Sequence, residues 1–306
     1  MIKNNNLNYT NDNYVLTKYT TNLTNRAILY LNNGFPVHLK GSAGVGKTSL
    51  AFHIAETIGK PVLFICGSEE INDENLIGGY VGTKKFILED NFISTVYKKR
   101  EIAEKAWNDG RLLTACKEGY TVIYDEFTRT PPEINNVLLS MLEEKIVDIP
   151  YIYYSEYLNI HPDFKMIFTS NPDEYTGVYK SPNALLDRMI TIDMNSLDKE
   201  TEKQVIIAKA GISSEEAQKI MELSGYIKKE SGSNTYSSIR SSIMLAKIIK
   251  AAKIKMSSES SVFQSICRDI YNSVNISSGL SDEKSSNLDA IINNAIKTVF
   301  TNETKV

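Results

Sequence analysis

The sequence predicts an α/β fold, in which helices cover a parallel β-sheet on both faces, followed by an all-helical region. Three observations support this prediction. Short apolar, β-branched runs alternate with helical patterns between residues 36 and 193. A glycine-rich loop joins the first of these runs to a helix. After about residue 195 the strand patterns stop and amphipathic helical patterns continue.

The predicted strands are 36–40, 61–66, 121–125, 165–170 and 189–193. Helices are predicted at 48–58 and 131–144, with short helices joined by loops after residue 257. Gly59 followed by Pro61 would end the first helix, and Thr130-Pro131-Pro132-Glu133 reads as a capping box for the second. We therefore expect a flexible tail at 1–13, an α/β domain at 14–195 and a helical domain at 196–306.

Length and composition are consistent with this organisation. The chain has 306 residues, of which 42% are hydrophobic and 23% charged, as in two ordinary globular domains. A formal net charge of −3 gives no basic field for sequence-independent nucleic-acid binding. The start lacks the apolar core of a signal peptide, and no stretch nears the ~18–20 apolar residues of a membrane span. We expect a cytoplasmic protein with neither nucleic-acid nor membrane partners.

The motif with the most chemical content is GSAGVGKT, which matches the phosphate-loop pattern G-x-x-x-x-G-K-[ST] between a strand and a helix. Glycines let the backbone N–H groups and the helix N-terminus face an anion. Lys47 would contact the β- and γ-phosphates, and Thr48 would offer a hydroxyl to Mg²⁺. The predicted nucleotide-binding residues of this loop are Gly41, Ser42, Ala43, Gly44, Val45, Gly46, Lys47, Thr48 and Ser49.

Two carboxylates, Asp125 and Glu126, follow the apolar strand at 121–125. Because parallel strands end at one edge of a sheet, these groups should lie beside the phosphate loop. Asp125 would hold Mg²⁺, and Glu126 would polarise the water that attacks the γ-phosphate. The alternative is an acidic pair that caps a helix.

Asn171 ends the strand KMIFTS and would lie at the same edge. Its amide could hydrogen-bond the attacking water or the γ-phosphate. An ordinary turn residue before Pro172 is the alternative.

Three arginines are candidates for stabilising phosphoryl charge. Arg188 is the first candidate for a finger supplied by a neighbouring subunit and Arg129 is the second, with a surface ion pair as the alternative for either. Arg240, at the start of a helix in the second domain, could reach back to the nucleotide. A solvated helix charge is its alternative.

Residues 69–85 predict an exposed hairpin with Tyr80 near its tip. This hairpin could grip a client protein or simply connect two elements. Cys66, Cys116 and Cys267 form no metal-binding pattern with a histidine, and we expect buried, reduced thiols and no transition-metal site.

The phrases GSAGVGKT, YDEFTR, FTSNPDEYTGV, ALLDRM and SIRSS, in this order, resemble AAA+ ATPases of the MoxR type, related to the activators of Rubisco and nitric oxide reductase. Longer phrases, such as RLLTACKEGYTVIYDEFTR and PEINNVLLSMLEE, are similar to the gas vesicle branch of that family. The resemblance covers roughly residues 14–250.

The resemblance implies a five-stranded sheet of order 5-1-4-3-2, a helical lid, ATP and Mg²⁺ as cofactors, and a homo-oligomeric ring, a hexamer. It identifies Asn171 as the sensor on the fourth strand and Arg240 as the sensor arginine of the lid, and it favours Arg188 as the finger. The implied partners are gas vesicle shell and accessory proteins, in the cytoplasm or at the vesicle.

The function expected from these features is ATP-driven remodelling of proteins during gas vesicle assembly. Two alternatives stay open at this point. One is a MoxR-type activator of another client, such as a metalloenzyme, and the other is a nucleotide-gated scaffold without catalysis. No N-K-x-D motif supports a GTPase.

Overall fold

The computed structural model describes residues 14–90, 98–150, 155–171, 183–194, 197–231, 238–276 and 282–300. The helices of this part of the chain are α1 (Lys18–Asn32), α2 (Lys47–Ile58), α3 (Asp73–Leu76), α4 (Arg111–Glu118), α5 (Pro132–Asn135), α6 (Val137–Glu143), α7 (Asn183–Leu186), α8 (Lys199–Ala210), α9 (Ser214–Ser231), α10 (Ile239–Ala252), α11 (Ser261–Ile276) and α12 (Asp282–Phe300). The strands are β1 (Val37–Lys40), β2 (Val62–Cys66), β3 (Gly78–Asp90), β4 (Lys98–Asp109), β5 (Thr121–Asp125), β6 (Ile146–Pro150), β7 (Ser155–Asn159), β8 (Lys165–Ser170) and β9 (Ile190–Asp193). The predicted tail at 1–13 lies outside the described residues.

Five strands form the main sheet in the order β2-β5-β8-β1-β9. The pairs β2–β5, β5–β8 and β1–β8 are parallel. Counted along the chain among themselves, these strands have the order 2-3-4-1-5, which is 5-1-4-3-2 from the other edge. The predicted order is therefore confirmed, and the labels differ only because β3, β4, β6 and β7 belong to two separate hairpins.

The central strands are apolar because they are buried on both faces. All five residues of β5 are buried, as are the last five of β8. Phe127, just after β5, packs its ring edge-to-face on Phe168 of β8 at 5.3 Å between centroids. This packing fixes the chain where it leaves the sheet, next to Asp125 and Glu126.

Chain contacts divide the protein into two compact units. With the gaps given above, the first contains residues 26–40 and 51–192, and the second contains 14–25, 41–50 and 193–300. The predicted boundary near residue 195 stays a prediction. Within the part of the chain that the structure covers, no helix combines the length and apolarity needed to cross a membrane.

The first unit carries two antiparallel hairpins besides the sheet. In the larger one β3 pairs with β4, and Tyr80 lies opposite Trp107, with ring centroids 5.3 Å apart. The hairpin predicted at residues 69–85 is wrong in its bounds and in the placement of Tyr80 near its tip: α3 occupies Asp73–Leu76, and β3 begins only at Gly78 and pairs with β4. Tyr80 lies at the base because β3 continues to Asp90.

The second unit, called the helical unit below, has its own core. Ile206, Ile220 and Leu245 of α8, α9 and α10 are fully buried in it. Ser224 Oγ lies 2.7 Å from the Tyr271 hydroxyl and 2.9 Å from Ser242 Oγ, so three buried hydroxyls satisfy one another. Burial raises the pKa of the Tyr271 phenol. The helices after residue 257 are longer than expected, at 16 residues for α11 and 19 for α12.

The helix predicted at 131–144 is divided into α5 and α6, although Asn136 between them keeps helical angles (φ −62°, ψ −33°). The predicted capping box is wrong: Pro131 is the N-cap and makes no side-chain cap bond. Thr130 is fully buried, and its hydroxyl accepts a 2.8 Å hydrogen bond from the Tyr124 hydroxyl. The Thr130 hydroxyl, predicted to cap the helix, is therefore engaged by Tyr124 instead.

Candidate functional site

The glycine-rich loop connects β1 directly to α2, which begins at Lys47. Gly44 and Gly46 have φ angles of +82° and +93°, the left-handed region that glycine adopts without strain. The Lys47 ammonium donates to the carbonyl oxygens of Gly41 at 2.7 Å and Ser42 at 2.9 Å. Lys47 is only 8% exposed, so its charge is held over the curled loop at a helix N-terminus. This is the arrangement that binds phosphate groups in proteins.

The start of α10 packs against this loop within the second unit. A Cβ built on Gly44 would lie 3.5 Å from the Ser238 Cβ and 3.7 Å from the Arg240 Cβ. Ser238 caps α10 through the backbone N–H of Ser241, which fixes where the helix begins. The structure therefore brings the predicted residue Arg240, whose side chain is exposed, next to the phosphate loop.

The acidic pair lies at the carboxyl end of β5. Asp125 is 9% exposed, and its Oδ1 accepts a hydrogen bond from Thr169 Oγ1 at 2.6 Å. Glu126 has left-handed backbone angles (φ 51°, ψ 42°). Only two other non-glycine residues in the described part of the chain have a positive φ. Such a conformation costs about 1–3 kcal/mol and persists only where the surroundings enforce it.

Two residues that the sequence reasoning missed enforce the turn at Glu126. Thr169 Oγ1 accepts from the Glu126 backbone N–H at 2.9 Å, and Gly67 donates its N–H to the Asp125 carbonyl at 2.7 Å. A Cβ on Gly67 would lie 2.2 Å from the Glu126 carbonyl oxygen. Thr169 could have been found from the sequence, because side chains alternate along a strand and Thr169 therefore lies on the same face as Asn171.

Asn171 follows β8 immediately and is 7% exposed. Tyr124 is the partner of Phe168 in the parallel β5–β8 register, so Asn171 and Asp125 end neighbouring strands at one sheet edge. The adjacent Ser170 Oγ lies 2.8 Å from Nε2 of His38, whose Nδ1 lies 3.1 Å from Thr191 Oγ1. His38 thus links three strands beneath this edge.

Both candidate finger arginines form ion pairs within this chain. Arg129 Nε lies 2.9 Å from Oε2 of Glu126, with both side chains partly exposed. Arg188 Nε donates to Oε2 of Glu143 at 2.8 Å, and its Nη1 donates to the Ala184 carbonyl at 2.6 Å. Exposed ion pairs of this kind contribute little to stability, so either arginine can leave its partner at a small cost in free energy.

Cys66 corrects the expectation that all three cysteines are buried. Cys116 and Cys267 are buried, and burial raises the pKa of each thiol to about 12. Cys66 is exposed at the end of β2, where its Cα pairs with Asp125. Partial burial raises its pKa, and the negative charges of Asp125 and Glu126 add to that rise. The pKa of the Cys66 thiol therefore depends on the charges of Asp125 and Glu126.

The carboxylate of Asp125 has the chemistry that Mg²⁺ prefers, since the ion takes carboxylate and hydroxyl oxygens together with substrate phosphates. Thr48, which lies in the second unit, is the predicted hydroxyl donor. Among the residues that the structure describes, no cluster of three or more His, Cys, Asp or Glu side chains could hold a metal ion alone. Phosphate oxygens of a nucleotide would have to complete the set.

Comparison with known proteins gives concordant similarities. The AAA domain family (dynein-related subfamily) matches residues 36–189. The gas vesicle ATPase GvpN of Ancylobacter aquaticus is 39% identical over 261 residues, which cover 85% of this chain and 73% of that protein. The gas vesicle ATPase GvpN of Haloferax mediterranei is 38% identical over 196 residues, covering 64% of this chain but only 56% of that protein. The chain thus spans little more than half the length of the second relative.

Among solved structures, a mutant of RuvB from Thermotoga maritima superimposes with a TM-score of 0.50 at 16% sequence identity. The match covers 89% of this chain and 74% of that one. At this identity the similarity supports the fold alone.

We predict that Gly67→Ala destabilises the protein by ~1–3 kcal/mol, because the new methyl group would overlap the Glu126 backbone, which cannot move without losing its turn. Gly225→Ala is the matched control, since a Cβ there meets nothing within 4 Å and lies on α9. It should be neutral or stabilising by up to ~1 kcal/mol. Urea denaturation measures both, and equal stability of the two variants would contradict the close contact.

Proposed function

The chain belongs to the dynein-related subfamily of the AAA domain family and, within it, to the gas vesicle ATPase GvpN family, and from that membership we propose that it remodels or chaperones proteins during gas vesicle assembly. It is an ATP hydrolase of the AAA+ class. The proposal places it in the cytoplasm or at the vesicle surface, acting on gas vesicle shell and accessory proteins.

One observation carries the proposed chemistry. The acidic pair stands at the end of the buried parallel strand β5, and its second residue, Glu126, is held in a left-handed turn. In the same chain, the sheet strand β1 leads directly into the phosphate loop. The first half of this arrangement supplies a base and a metal ligand, and the second binds the phosphates.

The phosphate loop would bind ATP through its backbone N–H groups and Lys47. A triphosphate offers the Lys47 ammonium charged acceptors in place of the Gly41 and Ser42 carbonyls that it now contacts. Thr48 and Asp125 would hold Mg²⁺, which when bound neutralises charge on the β- and γ-phosphate oxygens. Arg240, beside the loop, would add a positive charge from the helical unit.

Hydrolysis needs one proton to leave the attacking water. Glu126 would accept that proton while the water oxygen bonds to the γ-phosphorus and the bond to the bridging oxygen breaks, releasing ADP and phosphate. Asn171 would donate a hydrogen bond from its amide to the water or the γ-phosphate. Glu126 is 35% exposed at its side chain, which lets water reach it.

Arg188 is our choice for the finger supplied by a neighbouring subunit, with Arg129 as second choice. In that role Arg188 would exchange its contact with Glu143 for the transferring phosphoryl group of the adjacent subunit. The arrangement requires a homo-oligomer, and a hexameric ring is the form we propose.

We predict that Glu126→Gln preserves ATP binding and lowers turnover by at least ~100-fold, because the amide cannot accept the proton. Lys47→Ala should lose binding as well. Glu133→Gln, which neutralises an exposed carboxylate in the same segment, is the matched control and should retain normal turnover. Fluorescent-nucleotide binding and steady-state phosphate release, with and without shell protein, measure these effects.

Unchanged hydrolysis by Glu126→Gln would remove Glu126 from the role of base. A wild-type protein that binds ATP but releases no phosphate, alone or with shell protein, would instead favour the scaffold alternative.

We predict that mixing Arg188→Ala protein with Glu126→Gln protein restores part of the turnover that each lacks alone. A subunit with intact Glu126 can then neighbour one with intact Arg188, so complete sites form in mixed oligomers. Arg129→Ala mixed in the same way is the comparison. Recovery with Arg129→Ala but not with Arg188→Ala would transfer the finger to Arg129.

A further inference from the structure

We propose that Thr169 is a positioning residue that links the metal-binding carboxylate of Asp125 to the catalytic base Glu126. The inference rests on the proposed function and concerns a residue to which neither the motifs nor the comparisons gave a role. Thr169 is fully buried in β8, between the two groups that it orients.

The direction of both hydrogen bonds follows from the donor count. A threonine hydroxyl has a single proton, and the Glu126 N–H can only donate. The hydroxyl therefore accepts from Glu126 at 2.9 Å and gives its own proton to Asp125 Oδ1 at 2.6 Å. One side-chain atom thus fixes both the rotation of the Asp125 carboxylate and the backbone of the next residue.

The hydroxyl also acts where the sheet ladder ends. The last paired residues of β5 and β8 are Tyr124 and Phe168. Beyond them the Thr169 side chain, in place of a backbone carbonyl, accepts the Glu126 N–H, and the chain turns out of the sheet into its left-handed conformation. Without this acceptor, the strain at Glu126 loses one of the contacts that enforce it.

A purely structural role would be limited to stability. A positioning role predicts more, because outer partners of metal ligands typically change metal affinity or activity by about 10- to 100-fold when removed. Removing the hydroxyl should therefore affect metal binding and turnover together. It should spare the grip of the phosphate loop on the nucleotide, which depends on other residues.

The test compares Thr169→Val, which keeps the shape but not the hydroxyl, with Thr169→Ser, which keeps the hydroxyl. Mn²⁺ affinity is measured by electron paramagnetic resonance with a saturating non-hydrolysable ATP analogue, beside steady-state turnover and metal-free nucleotide affinity. We expect the valine variant to lose about tenfold in Mn²⁺ affinity and about 10- to 100-fold in turnover. The serine variant should stay within about threefold of wild type in all three measurements.

Thr130→Val is the matched control, because it removes another fully buried threonine hydroxyl, bonded to Tyr124, without a hydrogen bond to either carboxylate. It should lower stability in urea while leaving Mn²⁺ affinity within about threefold of wild type. If Thr169→Val does not fold, Thr169→Ala takes its place in the same comparison with the serine variant.

Wild-type values for the hydroxyl-free variant, or an equal loss of Mn²⁺ affinity in Thr130→Val, would overturn the inference. A wild-type protein without nucleotide-dependent Mn²⁺ binding or turnover would overturn the proposed function itself, which is a distinguishable result.

Discussion

The proposed chemistry of this protein depends on where the strand β5 ends. β5 is buried along its whole length, and its last residue carries a carboxylate that burial alone would make costly. The next residue turns out of the sheet in a left-handed conformation that a glutamate adopts only under constraint. Thr169 and Gly67 supply that constraint through the neighbouring strand β8 and the residue after β2. The order of the sheet, with β5 between β2 and β8, makes both contacts available at once.

The predicted phosphate-binding loop depends on its glycines. Gly44 and Gly46 allow a backbone curl that a side chain would strain, and the start of α10 lies next to Gly44. Through that contact Arg240, on α10, lies next to the loop whose lysine begins α2. Under the proposed function, a change of the bound nucleotide at this loop would act directly on the start of α10.

Much of this fold could be predicted because its signals are local. The five sheet strands are continuous apolar runs, and their ends agree with the structure within about a residue or two. The phosphate loop is read from its glycines and Lys47, and the acidic pair from its place after β5. The length of the β3–β4 hairpin could not be predicted in the same way, since its register depends on pairing between distant segments. The capping box failed because Tyr124 binds Thr130, and Thr169 was missed because its two partners are 43 and 44 residues away.

Under the proposed function, hydrolysis at the Glu126 site, rather than nucleotide binding alone, drives gas vesicle assembly. The experiment that decides this is deletion of the gene in its host, scored for vesicles by electron microscopy, followed by complementation with the wild-type gene or with Glu126→Gln. We expect the wild-type gene to restore vesicles and the glutamine variant, expressed at the same level, not to restore them. Normal vesicles in cells that carry only Glu126→Gln would contradict it.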